Sequence, residues 1–576
     1  MRPMRRGLAV PVSVLVALIA VFASVPAAEI PPDRLHAIPE GARESRPRGP
    51  KTPPTGAEIV NPAEFCRSDA MVIFWKSYHA QELTDMCRAV ARDDRVYCCV
   101  SSSSEQAAAA AHLSAAGVEM GNVDFHMTYN GSVWIRDYGP FCVYDDGRLS
   151  ITDCEYGIGG LFDAIPVSIA QNEGLPWFRS TLLHHGGNHI TDGNGTGFFS
   201  ENLTDFNSGW TMEEIEDEMA AYLGLESLVV FGTMEGDVTG HCDMFVKLLN
   251  DTLFVVGEYA EPGDAVGDDA AFLDDLAATL ADTKNVDGRY FEVRRIPMNP
   301  IDAVHDYNRT YTNSLIFNNK VLVPTYDTEL DAPALQVYAA CMPGHEIIGI
   351  DCRDVIQYLG AIHCISNTIH DANPLIILHA PPATAQFGDT PLLDCRLNPR
   401  FGDRVVELHY RPAGGARATT IDAVFDNGVW HAQLPPVADD FDYWFTARVF
   451  TPADTLETVL PETAPASVFT VDVQGSTAAD PLPRAAHSLS VWPNPCNPRA
   501  VLAFTLDREA TVDLAVYDAA GRRVNTLASA RPLPPGEHRF AWDGTDAAGR
   551  ALPSALYLAR LSAAGTRLTE RITLLR

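Results

Sequence analysis

Near Asn373 the period of the apolar pattern changes, and that change rules out a single uniform fold for this chain of 576 residues. From about Ile59 to His370, apolar runs alternate with segments of helical spacing. Met71–Trp75 and Val96–Val100 read as strands, and Ala80–Ala91 reads as a helix. A second helix is expected from Glu105 to Ala116, with Ser104 as its N-cap and Gly117 as its stop. Thr211 and Glu214 form a capping box ahead of Ile215, Met219 and Tyr222, and Gly224 ends that helix. Hairpins are expected at Phe141–Ile151, turning at Asp145-Asp146-Gly147, and at Leu315–Pro324, turning at Asn318-Asn319. Repeated strand and helix predict an α/β domain. After Asn373 the segments are short and alternating, as in Val405–Tyr410 and Tyr443–Val449, and helical spacing almost vanishes. Two small all-β units are expected there.

The N-terminus reads as a targeting device. Arg2, Arg5 and Arg6 precede the apolar run Leu8–Ala23, and small residues follow at Ser24–Ala28. The run is short for a span of about 20 residues, so removal is expected rather than anchoring, and the mature chain is expected to lack a transmembrane segment. The organisation expected is a signal peptide over 1–28, a linker over 29–56 and an α/β domain over 57–372. An Ig-like sandwich over 373–474, a linker over 475–487 and a C-terminal Ig-like unit over 488–576 complete it.

The chain carries 75 acidic against 42 basic residues, a formal net charge of -33. Such a surface repels phosphate backbones, which argues against a nucleic-acid partner, and it draws in cationic ligands. Twelve cysteines show no paired C-x-x-C spacing, so no zinc site is expected. Ten of them lie between Cys66 and Cys364, and most read as small buried hydrophobes.

Three local constellations carry possible chemistry: Trp134-Ile135-Arg136-Asp137-Tyr138-Gly139-Pro140, Gly240-His241-Cys242-Asp243 and Gly360-Ala361-Ile362-His363-Cys364. On a strand, His241 and Asp243 would share one face. Each constellation alone has a bland explanation, as a surface pair, a core histidine or an inert thiol. Their combination and order do not. W-x-R-D-x-G-P is followed by Gly186-Gly187-Asn188 with Asp192-Gly193, then G-H-x-D, then Tyr311-Thr312-Asn313-Ser314, then A-I-H-C. This series resembles the bacterial, porphyromonad-type peptidylarginine deiminase and agmatine deiminase family over roughly Ile59 to His370. The resemblance implies a pentein fold, a pseudo-fivefold α/β propeller with its site at the centre.

The resemblance further implies a set of roles. Cys364 is the nucleophile, and Asp137 and Asp243 grip the guanidinium, whose N–H donors match carboxylates bidentately. His241 protonates the departing ammonia and then activates water, so a covalent thiouronium intermediate forms and is hydrolysed. Trp134, Asn188 and Asn313 are expected to line the substrate site. His363 would point away from the nucleophile on an extended strand and receives no role. No metal or organic cofactor is called for. The expected substrate is an arginine-containing peptide or protein, with a small guanidine such as agmatine as the alternative. Export favours the former, as does the lack of a G-G-G-N run before Cys364. The best-known peptidylarginine deiminase of this type carries two arginines after the W-x-R-D hairpin. Tyr156–Asp163 has none, so the resemblance does not extend to a preference for C-terminal arginine.

The last unit opens with Ser490-Val491-Trp492-Pro493-Asn494-Pro495-Cys496-Asn497-Pro498 and continues through Val516–Arg522 and Trp542–Asp546. It resembles type IX secretion sorting domains and the Ig-like domain of flagellar hook-capping proteins. That implies secretion machinery as a partner and a secreted or cell-surface location. Other classes weighed are an amidinotransferase, a cysteine protease and an inactive surface adhesin. Cysteine proteolysis would not need the two aspartates, and an inactive adhesin would be expected to lose Asp137, His241, Asp243 and Cys364 first.

Overall fold

A computed structural model describes residues 52–157, 162–301, 307–474 and 489–574, apart from 493, 495, 497, 507, 519–521 and 564–565. The apolar leader over 1–28, most of the 29–56 arm, residues 158–161 and the whole 475–487 linker lie outside the described residues. So do several positions of the last unit's motifs. The chain divides into two compact units, Met1–Val473 and Gln474–Arg576.

Within the first unit one pattern recurs: an antiparallel pair, a helix, and a third strand parallel to the second. It runs through Phe141–Asp145, Arg148–Glu155, helix Ile165–Glu173 and Trp177–Leu183, then Ile190–Thr191, Thr196–Ser200, helix Met212–Leu223 and Ser227–Phe231. Next come Val246–Asn250, Leu253–Glu258, helix Asp269–Asp282 and Glu292–Pro297. Leu315–Phe317, Lys320–Thr325, helix Asp331–Cys341 and Glu346–Asp351 follow. The fifth repeat is made from both ends of the domain. Strand Asn367–His370 pairs antiparallel with Ser68–Phe74, which helix Ala80–Val90 joins to parallel Arg95–Val100. Pairing Asn367 with Val72 and Thr368 with Met71 closes the circle. This is the five-repeat arrangement implied by the resemblance.

Local chemistry explains most element ends. Thr211 and Glu214 make the reciprocal capping box, and Gly224 takes φ +63° at the other end of that helix. Asp146 and Gly147 both take positive φ in the tight turn between Phe141–Asp145 and Arg148–Glu155. One cap differs from expectation: helix Ser103–Ala115 is capped by Ser102, whose hydroxyl accepts from the Glu105 amide. Cys98 and Cys99 alternate along Arg95–Val100 and enter different apolar clusters, and all twelve cysteines are free thiols.

The boundary expected at Asn373 separates two architectures but not two compact units. The sandwich after it packs into the first unit, with Phe441–Phe450 at the centre of one of its sheets, paired to Asp403–Pro412. Buried Asp251 receives a bidentate pair from Arg396, and Asn398 donates to the Asp192 carbonyl at 2.7 Å. The second unit is a sandwich of a three-stranded and a four-stranded sheet closed over Trp542, Leu514 and Val516.

Candidate active site

The segment just ahead of the first strand in each repeat carries the polar residues. These are Asp137, Gly186–Asn188, His241–Asp243, Thr312–Asn313 and Cys364. Their contacts form a cycle. The Arg136 amide donates to the Cys364 carbonyl at 3.3 Å. A Cβ on Gly186 would lie 2.0 Å from the Arg136 carbonyl, and one on Gly187 would lie 2.5 Å from His241 Nδ1 and 3.2 Å from Asp137 Oδ1. The Thr312 hydroxyl donates to the Asp243 carbonyl at 3.1 Å, and Asn313 reaches Cys364. Five equivalent segments thus meet on one axis, and the two glycines permit the approach.

Cys364 is fully buried. Asn313 donates from Nδ2 to its Sγ at 3.1 Å, while Oδ1 accepts from the Ala361 and Cys364 amides at 3.0 and 3.3 Å. The thiol lies 3.7 Å from Asp243 Oδ2. Burial pushes this thiol well above its ordinary pKa, and the Asp243 and Asp137 carboxylates push it further in the same direction. Gly360 is required beside it, since a Cβ there would stand 2.7 Å from Trp134 and 3.1 Å from the sulfur.

The two aspartates have different backing. His241 Nδ1 faces Asp137 Oδ1 at 3.6 Å, the Tyr156 hydroxyl donates to Asp137 Oδ2 at 3.4 Å, and His241 Nε2 lies 3.1 Å from His185 Nδ1. Asp243 Oδ2 lies 2.6 Å from His363 Nδ1, and His363 Nε2 lies 2.6 Å from Glu64 Oε2. Lys247 pairs with Glu64 at 2.5 Å, and Arg136 approaches it at 3.9 Å. Burial pushes the Glu64 carboxyl up, but Lys247 and His363 outweigh it and hold the group well below the usual carboxylate range. The second oxygen of Asp243 is buried and makes no hydrogen bond.

The structure therefore brings together Cys364, His241, Asp137, Asp243, Asn313 and Trp134. Asn188 is not among them, because its amide is spent on Ser200: Oδ1 accepts from the Ser200 amide at 2.8 Å, and Nδ2 donates to the carbonyl at 3.4 Å. It braces the strand Thr196–Ser200. His363 is a further correction. The segment Ile362–Ile365 is a turn, with the Ile365 amide bonded to the Ala361 carbonyl, so His363 and Cys364 both reach Asp243. His241 likewise caps the 3₁₀ turn Cys242–Met244 and Asp243 lies within it, so the two do not share a strand face. Sequence reasoning missed Glu64, His185, His363 and Lys247. Of these, His185 adjoins the Gly186-Gly187-Asn188 motif and His363 lies within Ala361-Ile362-His363-Cys364, and those placements are the available signal. Asp137, His185 and His241 also offer ligand atoms within 4.8 Å of one another, a set that could hold a zinc-like ion.

Comparison with known proteins agrees with this arrangement. Agmatine deiminases of Pseudomonas aeruginosa and Pseudomonas syringae pv. tomato are each 24% identical. The former aligns over 48% of this chain and 84% of its own length, the latter over 44% and 78%. An X-ray structure carrying an agmatine deiminase name superposes with a TM-score of 0.50 at 22% identity, covering 56% of this chain and 99% of that one, which establishes the pentein fold. The FlgD Ig-like domain model matches residues 498–566. The family model described as Porphyromonas-type peptidyl-arginine deiminase matches residues 61–369, more than half of the chain, and with these motifs in order the chain belongs to that guanidine-modifying deiminase family.

Proposed function

We propose that this chain hydrolyses the guanidinium of peptidyl-arginine, releasing ammonia and leaving a ureido side chain. The observation that carries the reading is the buried Cys364 thiol, 3.7 Å from Asp243, at a centre it shares with Asp137 and His241. Asp137 and Asp243 hold the planar cation by charge-assisted hydrogen bonds. Burial and both carboxylates keep the thiol protonated; the bound cation offsets the carboxylates and sets positive charge beside the sulfur, so the nucleophile forms when substrate arrives. The sulfur bonds to the guanidinium carbon, and His241 carries the displaced proton to the nitrogen that leaves as ammonia. Water, deprotonated by His241, then adds to the thiouronium carbon. The C–S bond breaks, and the ureido product and free thiol result. Asn313 steadies the sulfur through both steps, and Trp134 walls the cleft beside Gly360.

Incubation with an arginine peptide, free arginine and agmatine, with ureido product measured for each, tests the reading. Peptide turnover with the highest kcat/KM supports it. A transferred amidino group without ureido product would make the chain an amidinotransferase. Agmatine hydrolysis to N-carbamoylputrescine is the second reading, favoured by the names of the curated relatives.

Peptidyl substrate follows from export, which rests on the Arg2–Ala28 leader, and the last unit is read as a sorting domain for type IX secretion. The FlgD-like match supports an Ig-like unit there. No helix among the described residues is long and apolar enough to cross a membrane. Mass spectrometry of the exported protein tests both points. The mature chain begins near Glu29 and lacks the C-terminal unit, and an intact Leu574-Leu575-Arg576 terminus would count against sorting.

A further inference from the structure

One guanidinium of the chain's own lies inside this centre, and the hydrolytic steps give it no task. Arg136 is only 9% exposed. Its amide donates to the Cys364 carbonyl at 3.3 Å, and its side-chain Nε donates to the His363 carbonyl at 3.2 Å. One residue therefore holds two consecutive carbonyls of the turn that carries the nucleophile. The far end of the side chain is engaged differently. Nη2 is buried and makes no hydrogen bond, and it approaches Glu64 Oε2 at 3.9 Å. Glu64 is itself taken up by Lys247 at 2.5 Å and by His363 at 2.6 Å. Burial presses the Arg136 guanidinium below its ordinary pKa, and the charges of Glu64, Asp243, Cys364 and Asp137 press the other way. A guanidinium keeps its proton under such pressure, because that ordinary pKa lies above about 12.

We propose that Arg136 is the positioning residue of the nucleophile: it anchors the His363–Cys364 turn and sets a permanent positive charge near the sulfur, which makes the thiolate easier to form. The inference rests on the deiminase reading, because it assigns the residue to the step in which sulfur attacks. The centre needs such a charge. Asp243 lies 3.7 Å from the thiol and Asp137 adds a second negative charge, so loss of the thiol proton places a third in one buried space. The other ionisable groups are committed elsewhere. His241 stands against Asp137 at 3.6 Å, Lys247 pairs with Glu64, and His363 bridges Glu64 and Asp243. Asn313 donates to the sulfur but brings no charge. The substrate cation is present only while bound, whereas Arg136 stays. A unit charge about 6 Å away, at an effective dielectric of about 20, moves a pKa by more than about one unit.

The test measures alkylation of Cys364 in the full chain by iodoacetamide, an uncharged reagent that reacts with the thiolate, read from the mass of the peptide that carries Cys364. Below the thiol pKa the logarithm of the rate rises linearly with pH, so a change in that pKa displaces the line. Arg136→Gln removes the charge and should displace the line by about one pH unit or more toward alkali, with kcat at least about tenfold lower. Arg136→Lys keeps the charge without the planar Nε donor. Its line should lie within about 0.5 pH unit of wild type, while kcat falls at least about threefold because the turn is held less firmly. An Arg136→Gln line that coincides with wild type overturns the charge, and so does an Arg136→Lys line displaced beyond that limit. Wild-type kcat in Arg136→Lys overturns the anchor. Should Arg136→Gln show no thermal unfolding transition, the Arg136→Lys line decides by the same limit. If wild-type protein releases no ureido product from any guanidine, the deiminase reading fails, while the alkylation lines still report the charge near the thiol.

Discussion

The two carboxylates of the site sit in contrasting surroundings. Asp137 is backed by hydrogen-bonding side chains: His241, with His185 behind it, and the Tyr156 hydroxyl. Asp243 is backed by fixed charge: His363 between Asp243 and Glu64, with Lys247 and Arg136 beyond. His363 places one ring nitrogen 2.6 Å from Asp243 and the other 2.6 Å from Glu64, so the Asp243 side is a bridged, charge-paired network that continues to Lys247. One half of the site is therefore built from hydrogen-bonding rings and a hydroxyl, and the other from paired ionisable groups. Both grip the same ligand in the proposed reaction, yet they should respond differently to substitution.

The largest effect removes what both halves serve. Cys364→Ser should lower kcat by about 10³ or more while leaving the melting temperature near wild type, because a hydroxyl is a far weaker nucleophile without a strong base. Retention of a tenth of wild-type turnover, about 1.4 kcal/mol of barrier, would remove Cys364 from the mechanism. Next come the two clamps. Asp137→Asn and Asp243→Asn should each reduce kcat/KM by about 10²–10³, well beyond the roughly 1 kcal/mol of a surface pair. Thermal melts separate them. Asp137→Asn should melt at or above the wild-type temperature, whereas Asp243→Asn should melt lower, because His363 loses its charged partner. Equal melting behaviour in the two variants would erase the contrast.

Glu64→Gln isolates the ion network. At neutral pH it should cost about 3 kcal/mol of stability, since Lys247 and His363 remain beside a neutral amide. The Glu64 carboxyl has a lowered folded pKa, so its contribution is present above the unfolded value near 4.3 and is lost as pH falls through the folded value. Urea melts of wild type and variant should accordingly converge in acid, and a gap that persists there would assign the loss to packing. The smallest expected response is to chelation. EDTA should leave kcat unchanged, and a loss restored by zinc would turn Asp137, His185 and His241 into a metal site.

Residue chemistry alone made much of this molecule legible. The alternation before Asn373, the capping box at Thr211 and Glu214 and the turn at Asp146-Gly147 act over a few residues, so they are written in neighbouring side chains. The ordered motifs named Cys364, His241, Asp137 and Asp243 through resemblance, and Asn313 with them. The five-repeat closure was not legible, because strand Asn367–His370 completes a sheet with Ser68–Phe74, across nearly the whole domain. Expectation failed at His363 for a related reason. An extended strand sends neighbouring side chains apart, but the Ile362–Ile365 turn sends His363 and Cys364 to the same carboxylate.

The sequence by itself determined the class of elements, the change of architecture at Asn373 and the identities of the reacting groups, since each depends on local periodicity or on motif. Only tertiary structure decided which groups meet. Glu64, Lys247, Arg136 and His363 come from four distant segments, and His185 reaches His241 through a second repeat. Charge balance in a buried site depends on distances between segments, and no period in the chain encodes those distances.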